Sequence, residues 1–431
     1  MTKLFYPHAE RLRSLGFHAA AEVPVLFDAS GRYCREHNRY LRERALGKAG
    51  IGDRVPWEAD RIPLPKTLEN AARYLGVFID WCGFTKSDWR TLCYKVGVLA
   101  FQNDMALGRW SLSGRKNDPR TANQRADEAA AFLAWAADRG LREPFNIERR
   151  LLVRRTRSAS SSRKGMRTDR SRLGRLPESR SKDVEKVGFL PRPQQVRDWL
   201  HAVRDQKGYA KYLASRFVLE AGTRLFETVA INEDQIPSRE KLVELSSAGQ
   251  LVAPVTLLVT KGGRPRTIFL AIPFLLEIRQ WIEGKRLRLR YLWHKRKKAP
   301  PSPRLFLSDA RGHEGTPISK ARLYDCFREV NPRPTGWHTH AGRHTYACFF
   351  VLYALEDEAA SAGRALSSMG ADWIVARGTW YLKTLQKQLG HLSEETTELY
   401  LRWLVTASGL SSAATGWHSF LSDGSGEEFA T

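Results

Sequence analysis

A chain of 431 residues is long enough for two or three compact domains, and 42% apolar residues with 13 Trp exclude a wholly disordered protein. The net charge of +24 and a pI near 10.1 point to a polyanionic partner, nucleic acid or an anionic membrane surface. Membrane is the weaker choice: no apolar run approaches the length of a spanning helix, and the N-terminus leads into charge and Pro, which implies a cytoplasmic protein. The five cysteines are scattered, with no Cys-x-x-Cys, so reduced thiols are expected, with no disulfide framework and no zinc cluster.

Residues 1–60 read as an accessory region or a DNA-contacting arm, with a short strand at 23–27, a turn at 28–31 and a basic helix over 34–46. After Pro63 and Pro65, Thr67 is expected to cap a helix. Its residues Leu68, Ala72, Leu75, Ile79 and Cys82 form one apolar stripe, closed by Gly83. A second helical stretch covers 89–107. A third opens at Pro119, with Ala122, Ala126, Ala129, Leu133 and Ala136 facing inward. Residues 61–145 therefore read as a small all-helical domain whose small-residue faces allow close packing.

Between Arg149 and Lys186 the composition changes to 14 Lys or Arg against 4 Asp or Glu, with a Ser run at 158–162. Residues 146–188 read as a basic linker, extended until it meets phosphate, and Arg154, Arg155, Arg157, Arg163, Lys164 and Arg167 are its candidate DNA contacts. The alternative is a merely solvated charge run.

Folding resumes near Phe189. Helices are expected over 193–203 and 207–221, a hairpin from 255–260 and 266–271, and one helix over 272–293 ended by Pro300, Pro301 and Pro303. A short strand at 305–307 and helices over 319–330, 340–355 and 373–389 follow. Ser393 would cap a last helix carrying Tyr400. Residues 408–431 read as a Ser- and Gly-rich tail with a short docking element at 417–421. The fold class is mainly α with a small antiparallel β element.

His340 and Arg343 are three residues apart, on one face near a helix N-terminus that also favours an anion. Arg224 follows the helix-breaking Gly222, with Glu227 one turn on to orient it. Lys261 stands at a strand end beside two glycines, and Leu389-Gly390-His391 precedes Tyr400. Each has an ordinary structural explanation: an ion pair, a solvated hairpin tip, a core Tyr among Leu399, Leu401 and Leu404.

Taken together, the order Arg, Lys, His-x-x-Arg, Leu-Gly-His, Tyr resembles the tyrosine recombinase and phage integrase family. The resemblance covers residues 189–403 and is strongest in Leu389-Gly390-His391, in Thr396-Thr397-Glu398-Leu399-Tyr400 and in the string from Thr339 to Ala347. Residues 61–145 resemble, more weakly, the family's core-binding domain, and residues 189–407 would be the mixed α/β catalytic domain.

The resemblance implies that Arg224, Arg343 and His391 stabilise the scissile phosphate, while Tyr400 attacks phosphorus to give a 3′-phosphotyrosyl bond and a free 5′-hydroxyl. His340 would be the general base, Lys261 the acid at the leaving oxygen and Glu227 a supporting residue. It further implies double-stranded DNA as partner, a homotetramer on two DNA sites, an accessory or excision protein, a nucleoid-associated protein of bacterial or phage origin, and no cofactor or metal. A transposase-like member with relaxed target choice, a type IB topoisomerase and a non-enzymatic DNA-binding protein are the alternatives. Two departures stand out: Gly342, expected to loosen the packing behind His340, and a longer interval between Arg343 and His391, with residues 355–371 as an insertion forming a protein contact or lid.

Overall fold

The computed structural model describes residues 1–49, 63–111, 114–156, 165–178 and 191–390. The chain is mostly helical with small antiparallel sheets, and it divides into two compact units, Met1–Ser179 and Arg180–Thr431.

In the first unit, β1 (Lys3–Phe5) pairs antiparallel with β2 (Val25–Phe27), and α1 (Ala9–Ser14) lies between them in the chain. Asp28 turns the chain after β2 by accepting the N–H groups of Ser30 and Arg32, both at 2.9 Å. Next comes α2 (Arg35–Ala45). Of the region read as an accessory part or arm, Leu26, Tyr40 and Leu41 are wholly buried in the same core as the helices that follow.

Those helices are α3 (Pro65–Thr85), α4 (Ala100–Leu107) and α5 (Pro119–Asp138). The five expected inward residues of α5 are all fully buried, and their small side chains leave room for Phe78, Phe101 and Phe132. Three boundaries differ from expectation. Leu64 caps α3, because Pro65 at the first position needs no N–H partner, so Thr67 lies inside the helix. Gly83 is interior, and left-handed Lys86 ends the helix instead. Residues 89–93 are not helical; a π turn, Tyr94–Leu99, leads into α4.

The expected extended linker is in part a hairpin. β3 (Arg149–Thr156) pairs with β4 (Gly165–Arg172), from Arg149↔Arg172 to Thr156↔Gly165. Ladder hydrogen bonds come from the backbone, so a charged strand pairs without an apolar period. The hairpin is anchored by Arg172, 7% exposed, which donates to Asp127 Oδ1 (2.8 Å), the Tyr94 hydroxyl (3.1 Å) and Gln102.

The second unit begins with α6 (Pro193–Lys207), α7 (Tyr209–Ala221), α8 (Leu225–Ala230) and α9 (Arg239–Ser247). The hairpin β5 (Val252–Leu257) and β6 (Arg266–Ala271) has Leu257 opposite Arg266, with Ala253, Val255, Leu257, Ile268 and Leu270 on the buried face. The expected single helix over 272–293 is α10 (Ile272–Trp281), a π turn (Ile282–Arg286) and α11 (Leu287–Lys297), ended by left-handed Lys298 ahead of the prolines. The wide turn brings Arg286 inward, fully buried against Glu233 and the carbonyls of Ser302, Arg304 and Leu305. In place of a strand at 305–307 there are isolated bridges at its two ends, Asn232↔Arg304 and Leu307↔Pro317.

The unit closes with α12 (Lys320–Glu329), α13 (Thr339–Ser361) and α14 (Ala371–Leu389). One core gathers Trp199, Phe217, Phe274, Trp281 and Phe327, and a smaller one joins Val351 and Leu355 of α13 to Leu382 and Leu385 of α14. The start of the expected insertion, residues 355–361, thus continues α13 by about two turns. Glu358 on that extension pairs with Arg377 and accepts the Tyr381 hydroxyl (2.9 Å), so its acidity is directed at α14. Gly342 does not loosen the packing behind His340. A Cβ there would lie 3.0 Å from Phe327 Cε1 and 3.3 Å from Leu219 Cδ2, so Gly342 lets α13 pack tightly on side chains of α7 and α12. Gly342→Ala should destabilise the protein by about 1–3 kcal/mol, read as a lowered midpoint in thermal denaturation; an unchanged midpoint would mean that the Phe327 ring yields freely.

Candidate active site

α7 ends at Gly222, whose φ of 59° lies in the left-handed region and whose added Cβ would collide with Tyr346 and Leu389. The chain therefore turns sharply under α13 and presents two features together: the Gly222 carbonyl and, two residues on, Arg224. Arg224 caps α8, and the Glu227 side chain returns to its backbone N–H at 2.8 Å.

Glu227 is 1% exposed and lies between two guanidinium groups. Arg224 Nη1 donates to Oε1 at 3.1 Å, and Arg266 donates to both oxygens at 2.7 and 2.8 Å in a two-pronged fork. Burial raises the Glu227 pKa, but the Arg266 and Arg224 hydrogen bonds and charges outweigh it, and the net shift is downward. The carboxylate therefore holds both arginines in place.

Arg343 is 1% exposed in the first turns of α13. It donates to the Gly222 carbonyl and, at 2.6 Å, to the Leu389 carbonyl. Arg224 reaches the same end of α14, through the carbonyls of Leu389 (3.5 Å) and Gly390 (3.2 Å). The carbonyls left unpaired at a helix C-terminus carry partial negative charge, so the end of α14 draws both guanidinium groups to one place.

His340 stands one turn before Arg343, open to solvent, its ring stacked on His344 with centroids 5.4 Å apart. Its pKa falls to about 4, through partial desolvation and then the charges of Arg343, His338, Arg224 and Lys261. The downward direction follows from desolvation of the ring and from the positive charges of Arg343, Arg224 and Lys261 near it. Lys261 is exposed at the tip of the β5–β6 hairpin. Of the sequence-derived residues, Arg224, Glu227 and Arg343 are thus joined through hydrogen bonds, and His340 feels the charges of Arg224, Lys261 and Arg343. His391 and Tyr400 lie outside the described residues, as do Arg157, Arg163 and Lys164. Arg154, Arg155 and Arg167 are in the β3–β4 ladder, Arg154 opposite Arg167, but their side chains lie outside the described residues.

Sequence reasoning missed two members of the site. Arg266 shares the inward register of Ile268 and Leu270, and an Arg at i−2 of a buried strand residue was the available signal. Its Nε donates to the Gln388 carbonyl at 3.0 Å. Gln388 in turn extends the β6 edge, accepting the Phe269 N–H and donating to the Phe269 carbonyl, both at 3.2 Å, and also donates to the Tyr346 hydroxyl. The end of α14 is fixed from three sides.

No family model matches the chain, and no curated protein matches it. Solved structures do. A complex described as the XerH site-specific recombinase bound to palindromic difH substrate, post-cleavage, is 13% identical over 96% of this chain and 98% of its own, with a TM-score of 0.48. A lambda integrase dimer bound to a COC′ core site is 12% identical over 85% of this chain and 76% of its own, at 0.44. The Tn1549 transposon integrase in complex with circular intermediate DNA is 15% identical over 85% and 94%, also at 0.44. With every one of these TM-scores below 0.5, the functional assignment rests on the side chains.

Proposed function

We propose that the chain is a tyrosine recombinase, a DNA-cleaving and rejoining enzyme that works on double-stranded DNA through a 3′-phosphotyrosyl intermediate. The observation that carries this reading is the convergence of Arg224 and Arg343, with Lys261 and His340 near them, on the end of α14, which in the sequence is followed by Gly390 and His391. A phosphodiester repels nucleophiles, and fixed guanidinium donors on its non-bridging oxygens relieve that repulsion and stabilise the charge that builds at phosphorus.

In the proposed reaction the Tyr400 oxygen bonds to phosphorus, and the bond to the 5′-oxygen breaks. The phenol proton passes to His340, and Lys261 supplies a proton to the departing oxygen. Reversal by an incoming 5′-hydroxyl reseals the strand with no external energy. A phosphate seated among Arg343, Arg224 and Lys261 would offset the charges that lower the His340 pKa and raise the basicity of the ring. Glu227 and Arg266 act through Arg224 by holding it in place. The protein then works in the cytoplasm, four copies on two DNA sites, to integrate or excise a mobile element, and among the described residues no helix is long and apolar enough to cross a membrane.

Incubation with a nicked duplex carrying the cognate site should yield a covalent protein adduct on the 3′-phosphate, stable to denaturation. Tyr400→Phe should lose the adduct entirely while keeping its affinity for the duplex. Equal adduct yield from the variant would assign the nucleophile elsewhere, and no adduct from the wild type would end the enzyme reading.

A further inference from the structure

We infer that α11 carries a second binding surface for duplex DNA, separate from the catalytic one. The inference rests on the proposed function for its choice of polyanion, and on the geometry of the helix for everything else.

From Gly284 to Ser308 the chain contains no Asp or Glu, while Lys and Arg recur throughout. The carboxylates that reach this region from elsewhere are already engaged on its inner and lateral sides. Glu233 takes Arg286 and Arg290, Glu314 takes Arg296, and Glu283, inside the π turn, takes Arg239. The outer side has no such compensation. Arg288, Tyr291, Lys295 and Lys298 follow one another at three- and four-residue steps, which places them on one face of the helix, and all four are exposed. Arg288, Lys295 and Lys298 have no carboxylate partner among the described residues.

A solvated helix face ordinarily mixes charges of both signs and keeps large apolar groups covered. This face does neither. Tyr291 is 64% exposed and Leu287 56% exposed, set among uncompensated cations. A row of cations with a phenol hydroxyl between them suits successive phosphate oxygens along a duplex backbone: the ammonium and guanidinium groups neutralise phosphates, and the hydroxyl adds a hydrogen bond that fixes register.

The surface is distinct from the catalytic one. Lys285, in the π turn that opens α11, lies 4.9 Å over the ring of Tyr209, the first residue of α7. The other end of α7 is Gly222, where Arg343 is held. The 13 residues of α7 separate the two ends, a span of roughly 20 Å at helical rise. A duplex seated on the catalytic arginines would have to continue or bend by about its own width to meet α11, so the second surface takes either flanking DNA or another duplex.

The test compares wild type with a variant carrying Arg288→Gln, Lys295→Gln and Lys298→Asn; Asn suits the left-handed backbone at 298. All three residues are exposed, and circular dichroism and thermal denaturation verify the fold. Binding to a duplex long enough to cover both surfaces is measured over a range of salt concentrations. Loss of three phosphate contacts should lower the log–log slope by about 2–3, with adduct formation on a short nicked duplex unchanged. An unchanged slope with normal adduct formation overturns the second surface and leaves the recombinase reading intact, whereas a wild type that forms no adduct overturns that reading. In parallel, vesicles containing phosphatidylserine are tested: if the variant loses vesicle binding but keeps the wild-type DNA slope, the surface is a membrane contact and the inference is wrong.

Discussion

Arg343→Lys should lower the rate of covalent DNA cleavage by about two to three orders of magnitude, the usual effect of removing one fixed donor from a site of charge development. The side chain is almost wholly buried and uses its two terminal nitrogens in different directions, toward the Gly222 carbonyl and toward the Leu389 carbonyl. A lysine ammonium keeps the charge but has neither the planar fork nor the reach to serve both carbonyls and a phosphate. One buried acceptor is then left without a partner, a further cost of about 1–3 kcal/mol in stability. Single-turnover cleavage of a nicked duplex, alongside thermal denaturation, separates the two effects. If the variant cleaves within tenfold of wild type while its melting temperature falls, Arg343 only ties α13 to α7 and α14, and the phosphate must be held by other donors.

Glu227→Ala is expected to have the largest effect on stability. It removes the anion between Arg224 and Arg266 and leaves two guanidinium groups facing each other in a space with 1% exposure at its centre. Breaking such a cluster by deleting one partner costs about 3–5 kcal/mol. For a unit of this size that is a fall in melting temperature on the order of 10 °C. The same carboxylate makes stability depend on pH. Its folded pKa lies below the ordinary 4.5, so the native state binds fewer protons than the unfolded chain in that range. Its contribution is fully present above about 4.5 and is lost as pH falls through the lower folded value. Melting temperatures of wild type and Glu227→Ala should therefore converge as the solution is acidified below 4.5; parallel curves would show that Glu227 is not ionised in the folded protein.

Much of the second unit was legible from pattern. The breaker at Gly222, the alternation in β6 and the three-residue step from His340 to Arg343 are each local, and each has one dominant structural solution. The same holds for the inward alanines of α5. Arg266 was harder to see because its importance depends on which strand register faces α8 and α14, a long-range fact. The β3–β4 ladder escaped because its residues carry no apolar alternation, and backbone pairing leaves no trace in side-chain chemistry. The core that residues 1–49 join was illegible for a related reason: Leu26, Tyr40 and Leu41 are too few to declare it in advance. The π turn at Ile282–Arg286 is likewise unannounced, since what creates it is the demand of Glu233 and three carbonyls for a buried Arg286.

That wide turn has a consequence for how this part of the chain tolerates change. A helix with one residue too many in a turn is a helix whose later half has been dialled round by about 100° relative to its earlier half. Every residue downstream keeps its identity and changes only its compass bearing. Loss of a single residue between Ile282 and Arg286 would turn α11 back, carrying its outer cations toward the interior and the buried Leu289 toward water. Length at that point is therefore under tighter constraint than composition: substitutions along the outer face of α11 adjust a property, but a one-residue deletion in the turn re-aims all of it.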